Sequence, residues 1–565
     1  MVERASKPSA AVITVVALAL VAAYWPSLGG GFIWDDDAHI VDNHYLRNLA
    51  GLAQIWIPGH TPQYYPVTFS LFWAQYQLWG ASPLGYDLVN LALHALNALL
   101  VWRVFAQLGV RFAPLLAAAF ALHPVHVESV AWAMELKNVL SATFYLAAAS
   151  CYLRFDAERE RGDATPRGYF AACALFACAL LSKSVTETLP AALALALVWR
   201  GGALGLRRFA PVAPLFVLGV GAGLLTTIVE RDFVGARGAE FALSLADRAL
   251  VASRALLFYA QKLVAPYPLM FCYPRWEISA ASASAYWPLA AALAIGAASL
   301  AAFVRGRRGI PLALAFFAGS LFPALGFIDF YPMIYSFVAD HFVYLPSLGL
   351  LAAGLALGDR LVAHPIARSA ACLALLGALA ALTFSRAGDY RDAQTLYRHS
   401  IAHDPSGYLC VALTGTELVR QAQLEREAGR ESAARAHFAE AKTFSQRALT
   451  LKENQPPTHI DLAVAHFALG EAAPGVRHAL RAAELAPASL DAQLLAGNAL
   501  AATGRPREAI LRFERAVALA PAHFEANLRL AQLARSEAHA RAALAAAASE
   551  EEAQQARAVL AGLRR

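Results

Sequence analysis

Charge is scarce in this sequence. Of its 565 residues only 16% are Asp, Glu, Lys or Arg, against about 25% in an ordinary soluble domain. That shortage excludes a string of soluble domains, and an apolar content of 58% excludes a disordered scaffold. The net charge of +6 is thinly spread. No Lys/Arg face alternates with aromatic platforms, so nucleic acid is not an expected partner. Cysteine is sparse too: there are six, with no CxxC and no ligand-like spacing to histidine. Cys151, Cys173, Cys178 and Cys372 fall in apolar stretches as small core residues. Cys272 and Cys410 are expected to face an oxidising compartment, with no sign that they pair. No small-x-small site follows the first apolar run, where Tyr24, Trp25 and Pro26 stand instead, so a cleaved signal peptide is not expected.

The charge present is unevenly divided. Residues 1–385 hold 46 charged residues, and residues 386–565 hold 42 in less than half the length. The first part therefore reads as a membrane domain and the second as water-soluble. Apolar runs predict eleven spans, near 10–28, 86–106, 112–131, 138–154, 169–182, 187–199, 210–229, 286–304, 310–328, 342–359 and 369–385. Basic residues of the short loops set the orientation. With Arg4 and Lys7 inside, the inside loops collect 16 Lys/Arg and the short outside loops three: Arg47, Lys137 and Lys183. The N-terminus is then cytoplasmic and the soluble part lies outside. Segment 245–265 is amphipathic and is expected to lie along the outer interface, as is the aromatic stretch 64–79.

The soluble part repeats itself. Ala448, Ala482 and Ala516 are 34 residues apart, as are Leu451, Leu485 and Leu519; Pro487/Pro521 and Gly470/Gly504 share the spacing. Period and residue types match the tetratricopeptide unit, a helix pair that buries its apolar face only by stacking on its neighbours. An earlier unit closes at 403–405 and is set apart by an insertion.

Four polar clusters fall on the expected outer side. FIWDDDAHIVDN (32–43) places Asp35, Asp36 and Asp37 in a row. Their mutual repulsion calls for a raised pKa or a cationic partner, and a carboxylate beside a membrane can act as general base toward a hydroxyl. An acidic loop, a helix cap, or an Asp35/Asp37 pair holding a divalent metal are the alternatives; no metal or other cofactor is favoured. HPVHVESVAWAMELKN (123–138) carries His123, His126 and Glu128. HxxHxE is not a recognised zinc spacing, so a phosphate or sugar site is the better reading of polarity at membrane depth. LSKSVTETLP (181–190) carries Lys183, which can meet a lipid phosphate or simply snorkel to the interface. ADHFVYLPSLG (339–349) carries Asp340 and His341 ahead of a span, with a helix cap as the alternative for Asp340.

Taken in order, these segments resemble the transmembrane and tetratricopeptide-repeat O-mannosyltransferases of animals and their bacterial relatives. FIWDDDAHIVDN resembles the family's acidic motif F-x-x-DD, HPVHVESVAW and KNVLSATF its second-loop motif, and LLSKSVTETLP its hairpin. Leu136 departs from the pattern where a basic residue would precede Lys137, and His341 departs where the bacterial relatives tend to carry Arg. The resemblance implies a multi-span, lipid-dependent glycosyltransferase fold whose first outer loop carries a catalytic Asp. It also implies a polyprenyl-phosphate sugar donor and inversion at the anomeric carbon. On that basis Asp36, or Asp35 second, is assigned as base. Lys183 and His126 would neutralise the departing phosphate, and Asp37, His123, Glu128, Asp340 and His341 would bind sugar or acceptor.

The expected architecture is all-α: a polytopic helix bundle over 1–385 followed by a tetratricopeptide-repeat superhelix over 386–565. The expected partners are the polyprenyl-phosphate sugar, membrane lipid and a protein or glycan acceptor, which the repeats would present. High Ala and Arg content suggests a bacterial inner membrane with periplasmic repeats. The rivals are a non-catalytic repeat scaffold for envelope assembly and a lipid-linked sugar carrier or ligase.

Overall fold

The computed structural model describes residues 10–201 and 205–564, whose regular elements are all helices, with no strand among them. Arg4 and Lys7, on which the expected orientation leans, lie outside the described residues. The chain divides into two units, Met1–Asp404 and Pro405–Arg565.

Eleven spans do not form. Among the described residues four helices are long and apolar enough to cross a membrane: Pro83–Gln107, Leu206–Asp232, Ala283–Val304 and Pro365–Asp389. A fifth is counted if Ala113–Ala121 and Pro124–Ala131, bent by 54°, act as one span. Interruption is the physical cause. Proline at the head of a helix leaves it intact but ends whatever precedes it, and Pro124, Pro190 and Pro323 fall inside the expected runs. The resulting pieces are short: Leu189–Arg200 has 12 residues and Gly309–Leu321 has 13, against the roughly 20 a bilayer needs. Helix Leu136–Arg161 is long enough at 26 residues, but it carries a charged last third.

Helix Pro83–Gln107 organises the first unit through a polar stripe. Asp87, Asn90, His94 and Asn97 recur at helical spacing and are all buried. Each takes hold of backbone elsewhere. Asp87 Oδ2 accepts from Gly29 N–H (2.8 Å), Asn90 Nδ2 donates to the Trp132 carbonyl (3.0 Å), and Asn97 Nδ2 donates to that of Val139 (2.8 Å). His94 Nε2 meets the Ala121 carbonyl (3.0 Å) and its Nδ1 the Tyr344 hydroxyl (2.6 Å). The break at Pro124 frees main-chain groups that apolar surroundings cannot satisfy; His94 takes the Ala121 carbonyl there, and Asn90 the Trp132 carbonyl at the next break. Helix Leu245–Val264 is not among the candidate spans. Its apolar face packs on Leu269, Tyr273, Phe317, Leu321 and Val338.

The second unit is a stack of helix pairs. Pro456–Ala468/Ala472–Leu485 and Leu490–Ala502/Pro506–Leu519 have 13 and 14 residues in each pair. Ala448, Ala482 and Ala516 are fully buried where helices touch, and Gly470 and Gly504 turn the chain at φ +83° and +76°. The insertion is absorbed by longer helices: Tyr408–Glu427 and Glu431–Leu451 have 20 and 21 residues, about two extra turns each. Because Ala516 has no free space around it, Ala516→Leu is expected to destabilise the unit by about 1–3 kcal/mol. Ala502→Leu, at an exposed helix end, should change it by less than about 0.5 kcal/mol; thermal melts of the two variants compare them.

Candidate functional site

The first-loop acids have three different environments. Asp36 is buried, and its two oxygens accept backbone N–H groups from Ile33 (2.8 Å) and Met134 (2.7 Å). Burial pushes its carboxyl well above the usual range while the two amides pull the other way. Asp35 is half-buried, and among the described residues its carboxylate has no hydrogen-bond or ion-pair partner; only its carbonyl is engaged, by His39 Nδ1 (2.7 Å). Asp37 is exposed. Just before them Trp34 sits at φ +45°, a left-handed conformation that a bulky side chain rarely adopts. Its indole lies parallel to that of Trp132, with centroids 6.1 Å apart, and meets Phe271 and Tyr335 edge-on. Trp132 Nε1 donates to the Ile33 carbonyl (3.2 Å), so the loop is fastened to the 123–138 segment by side chain and backbone alike.

That segment ends in a buried ion cluster. Glu135, fully buried, takes Lys183 Nζ on Oε2 (3.1 Å) and Lys137 Nζ on Oε1 (3.3 Å), with His341 Nε2 4.0 Å from Oε1. Burial alone would raise the Glu135 carboxyl; His341, Lys183 and Lys137 overcome it and hold the group well below the ordinary range. Burial pushes the Lys183 ammonium down to about 8, against the pull of Glu135. Asn138 locks the geometry: its Oδ1 accepts from Lys183 (3.3 Å), and its Nδ2 donates to Ser129 Oγ and to the His341 carbonyl (2.8 Å each). His341 Nδ1 is paired with Glu128 Oε1. Among the described residues Glu128 Oε2 and Asp340 Oδ2 are buried with no hydrogen-bond partner, while Asp340 Oδ1 accepts from Tyr273 OH (2.8 Å). Burial, with Glu128 alongside, pushes the Asp340 carboxyl up to about 8.

Lys137, Lys183 and His341 open on a cavity of about 110 Å³ that Tyr65, Glu187 and Glu230 also line. The structure thus brings together Glu128, Lys183, Asp340 and His341 from three of the four sequence clusters. His123 and His126 do not line that cavity. His123 Nε2 is bonded to the Leu263 carbonyl (3.0 Å) and its Nδ1 to Val125 N–H. His126 joins the Phe120 carbonyl (2.8 Å) and Ser347 Oγ (3.1 Å). Glu135 and Asn138 were not singled out by the sequence, although both stand in the polar run that was. Among the described residues no group of three or more His, Cys, Asp or Glu could hold a metal ion.

No family model matches the chain. Curated relatives do. Protein O-mannosyl-transferase TMTC3 of Mus musculus is 32% identical over 155 residues, 25% of this chain and 17% of that protein. Protein O-mannosyl-transferase F38B6.6 of Caenorhabditis elegans is 25% identical over 428 residues, 70% of this chain and 58% of that one. Protein O-mannosyl-transferase TMTC4 of Homo sapiens is 29% identical over 197 residues, 30% and 27% of the two chains. The chain thus spans less than two thirds of each of these relatives. Among solved structures, MamA is 16% identical, covering 30% of this chain and 89% of its own at a TM-score of 0.22. The Cut9–Hcn1 hetero-tetramer is 12% identical, covering 76% and 96% at 0.22; neither score carries an argument. Over parts of its length, then, the chain is similar to proteins named protein O-mannosyl-transferases.

Proposed function

We propose that this protein is a membrane glycosyltransferase that moves a hexose from a polyprenyl-phosphate donor to a hydroxyl of a protein or glycan acceptor, with inversion, on the outer side of a bacterial inner membrane. The observation that carries the reading is the convergence of Lys137, Lys183 and His341 on one cavity, the first of them in a segment to which the acidic loop is bonded through Met134. Cations gathered around a buried carboxylate form a ready anion site: an incoming phosphate oxygen takes over contacts that Glu135 otherwise satisfies. The leaving group is already a lipid monophosphate, so these side chains can carry its charge. Names of the relatives point the same way.

In this reading Asp35 is the base, because Asp36 already gives both oxygens to amides. The acceptor hydroxyl passes its proton to the Asp35 carboxylate as its oxygen bonds to the anomeric carbon. The bond from that carbon to the phosphate oxygen breaks, and its electrons leave on polyprenyl phosphate. Asp36 fixes the loop, Glu128 orients His341, and the repeat unit binds the acceptor. Both histidines of the HPVH turn serve the scaffold.

Two experiments test this, with labelled sugar transfer by the full chain in liposomes as the readout. Asp35→Asn should lower turnover by about 10²–10⁴-fold with an unchanged melt. Asp36→Asn should instead destabilise the protein by about 1–3 kcal/mol, since its amide NH₂ would face a backbone donor. Transfer undiminished in Asp35→Asn would move the base elsewhere.

The second test is pH. With Lys183 and Asp340 both at about 8, raising the pH through 8 removes a positive charge and adds a negative one. Donor KM should therefore climb on the alkaline side, and Lys183→Arg should shift that limb upward because guanidinium keeps its proton. A KM flat from pH 7 to 9.5 would count against Lys183 as a phosphate ligand.

A further inference from the structure

An apolar hollow of the first unit lies away from the acidic loop. It is a groove of about 420 Å³ enclosed by helices Pro83–Gln107, Leu136–Arg161, Leu189–Arg200, Gly309–Leu321 and Ser347–Leu361. Its walls run along Ser347–Leu361 from Leu348 to Arg360, about 18 Å at 1.5 Å per residue. That is close to one leaflet of a hydrocarbon core roughly 30 Å thick. Helices Gly309–Leu321 and Ser347–Leu361 meet closely at one point of the groove wall. At one end a Cβ on Gly349 would run into the Ala313 carbonyl, so the backbones touch. Toward the other end the small side chains of Ala352, Ala353 and Ala356 leave the space open.

Polarity is confined to one mouth, where Arg111, Asp359 and Arg360 line the groove. Asp359 is paired with Arg111 and with Arg368 (2.9 Å), and the Arg111 side chain is 75% exposed. One carboxylate is therefore shared by two guanidinium groups, with Arg360 lining the same mouth, which leaves positive charge for an anion at the interface. On helix Leu136–Arg161 the lining begins at Tyr145, eight residues after Lys137 and about 12 Å along the axis. The groove is thus separate from the cation cluster.

We propose that this groove binds one acyl chain of an anionic phospholipid whose phosphate rests on Arg111 and Arg360. The chain wedges helices Leu136–Arg161 and Ser347–Leu361 apart at their far ends, on the same two elements whose other ends adjoin Lys137 and His341. The apolar walls supply the hold and the arginines select the headgroup. This inference does not rest on the glycosyltransferase reading, because its readouts are lipid retention and stability.

The test uses the full chain purified in detergent, washed, and exposed to vesicles of phosphatidylglycerol or of phosphatidylcholine. Bound lipid is counted by mass spectrometry and the melting temperature is recorded. Wild type should retain about one phosphatidylglycerol per chain, roughly tenfold in preference to phosphatidylcholine, with a raised melting temperature. The exposed-site variant Arg111→Gln/Arg360→Gln should lose that preference while its lipid-free melt is unchanged. Ala353→Phe, which fills the groove, should retain no lipid of either kind. Equal retention of the two lipids by wild type, or undiminished preference in the double variant, overturns the proposal. So does displacement of the bound phospholipid by polyprenyl phosphate, which would give the groove to the donor's tail.

Discussion

Asp36 gives both carboxylate oxygens to backbone amides, one from Ile33 in its own loop and one from Met134, 98 residues further along the chain. The rest of the site depends on this clasp. It fastens the acidic loop to the turn that starts helix Leu136–Arg161, and so sets Asp35 next to the surroundings of Lys137. A carboxylate taking two amides is held by charge-assisted bonds, stronger than a neutral acceptor would make. Burial makes the loss of either bond expensive. Trp132, bonded to the Ile33 carbonyl and lying against Trp34, repeats the fastening from the other side.

Glu135 does for the cations what Asp36 does for the loop. Lys137 and Lys183, almost wholly buried, would be costly there as unpaired charges. Around Glu135 they are compensated, yet each still borders the cavity. An ion cluster of this kind adds little net stability, which leaves its value in keeping charged groups ready at a place where water is scarce. The polar stripe on Pro83–Gln107 works in the same spirit. It takes the Ala121 carbonyl at the Pro124 break and the Trp132 carbonyl at the next one, and so helps make irregular backbone tolerable where the site is built.

How far the sequence could be read differed between the two units. The repeats were legible because their contacts are local: a 34-residue period alone places Ala448, Ala482 and Ala516 at buried helix contacts and Gly470 and Gly504 at turns. The first unit was less so. Hydropathy registers composition, not length, and prolines that head short helices turned eleven apolar runs into far fewer spanning helices. Four acidic and basic segments were visible as a set, but their pairings were not. Lys183 meets Glu135 across 48 residues and His341 meets Glu128 across 213. Nothing in HPVHVE tells that both histidines are engaged by carbonyls and a serine; only packing decides which polar residues face the cavity.

Trp34 has one more consequence. Its left-handed backbone costs about 1–3 kcal/mol in the folded state, and glycine would remove that cost only by giving up the ring's contacts with Trp132, Phe271 and Tyr335. Those contacts hold the strained turn directly ahead of Asp35, so a substitution there changes folding and the placement of the acid together.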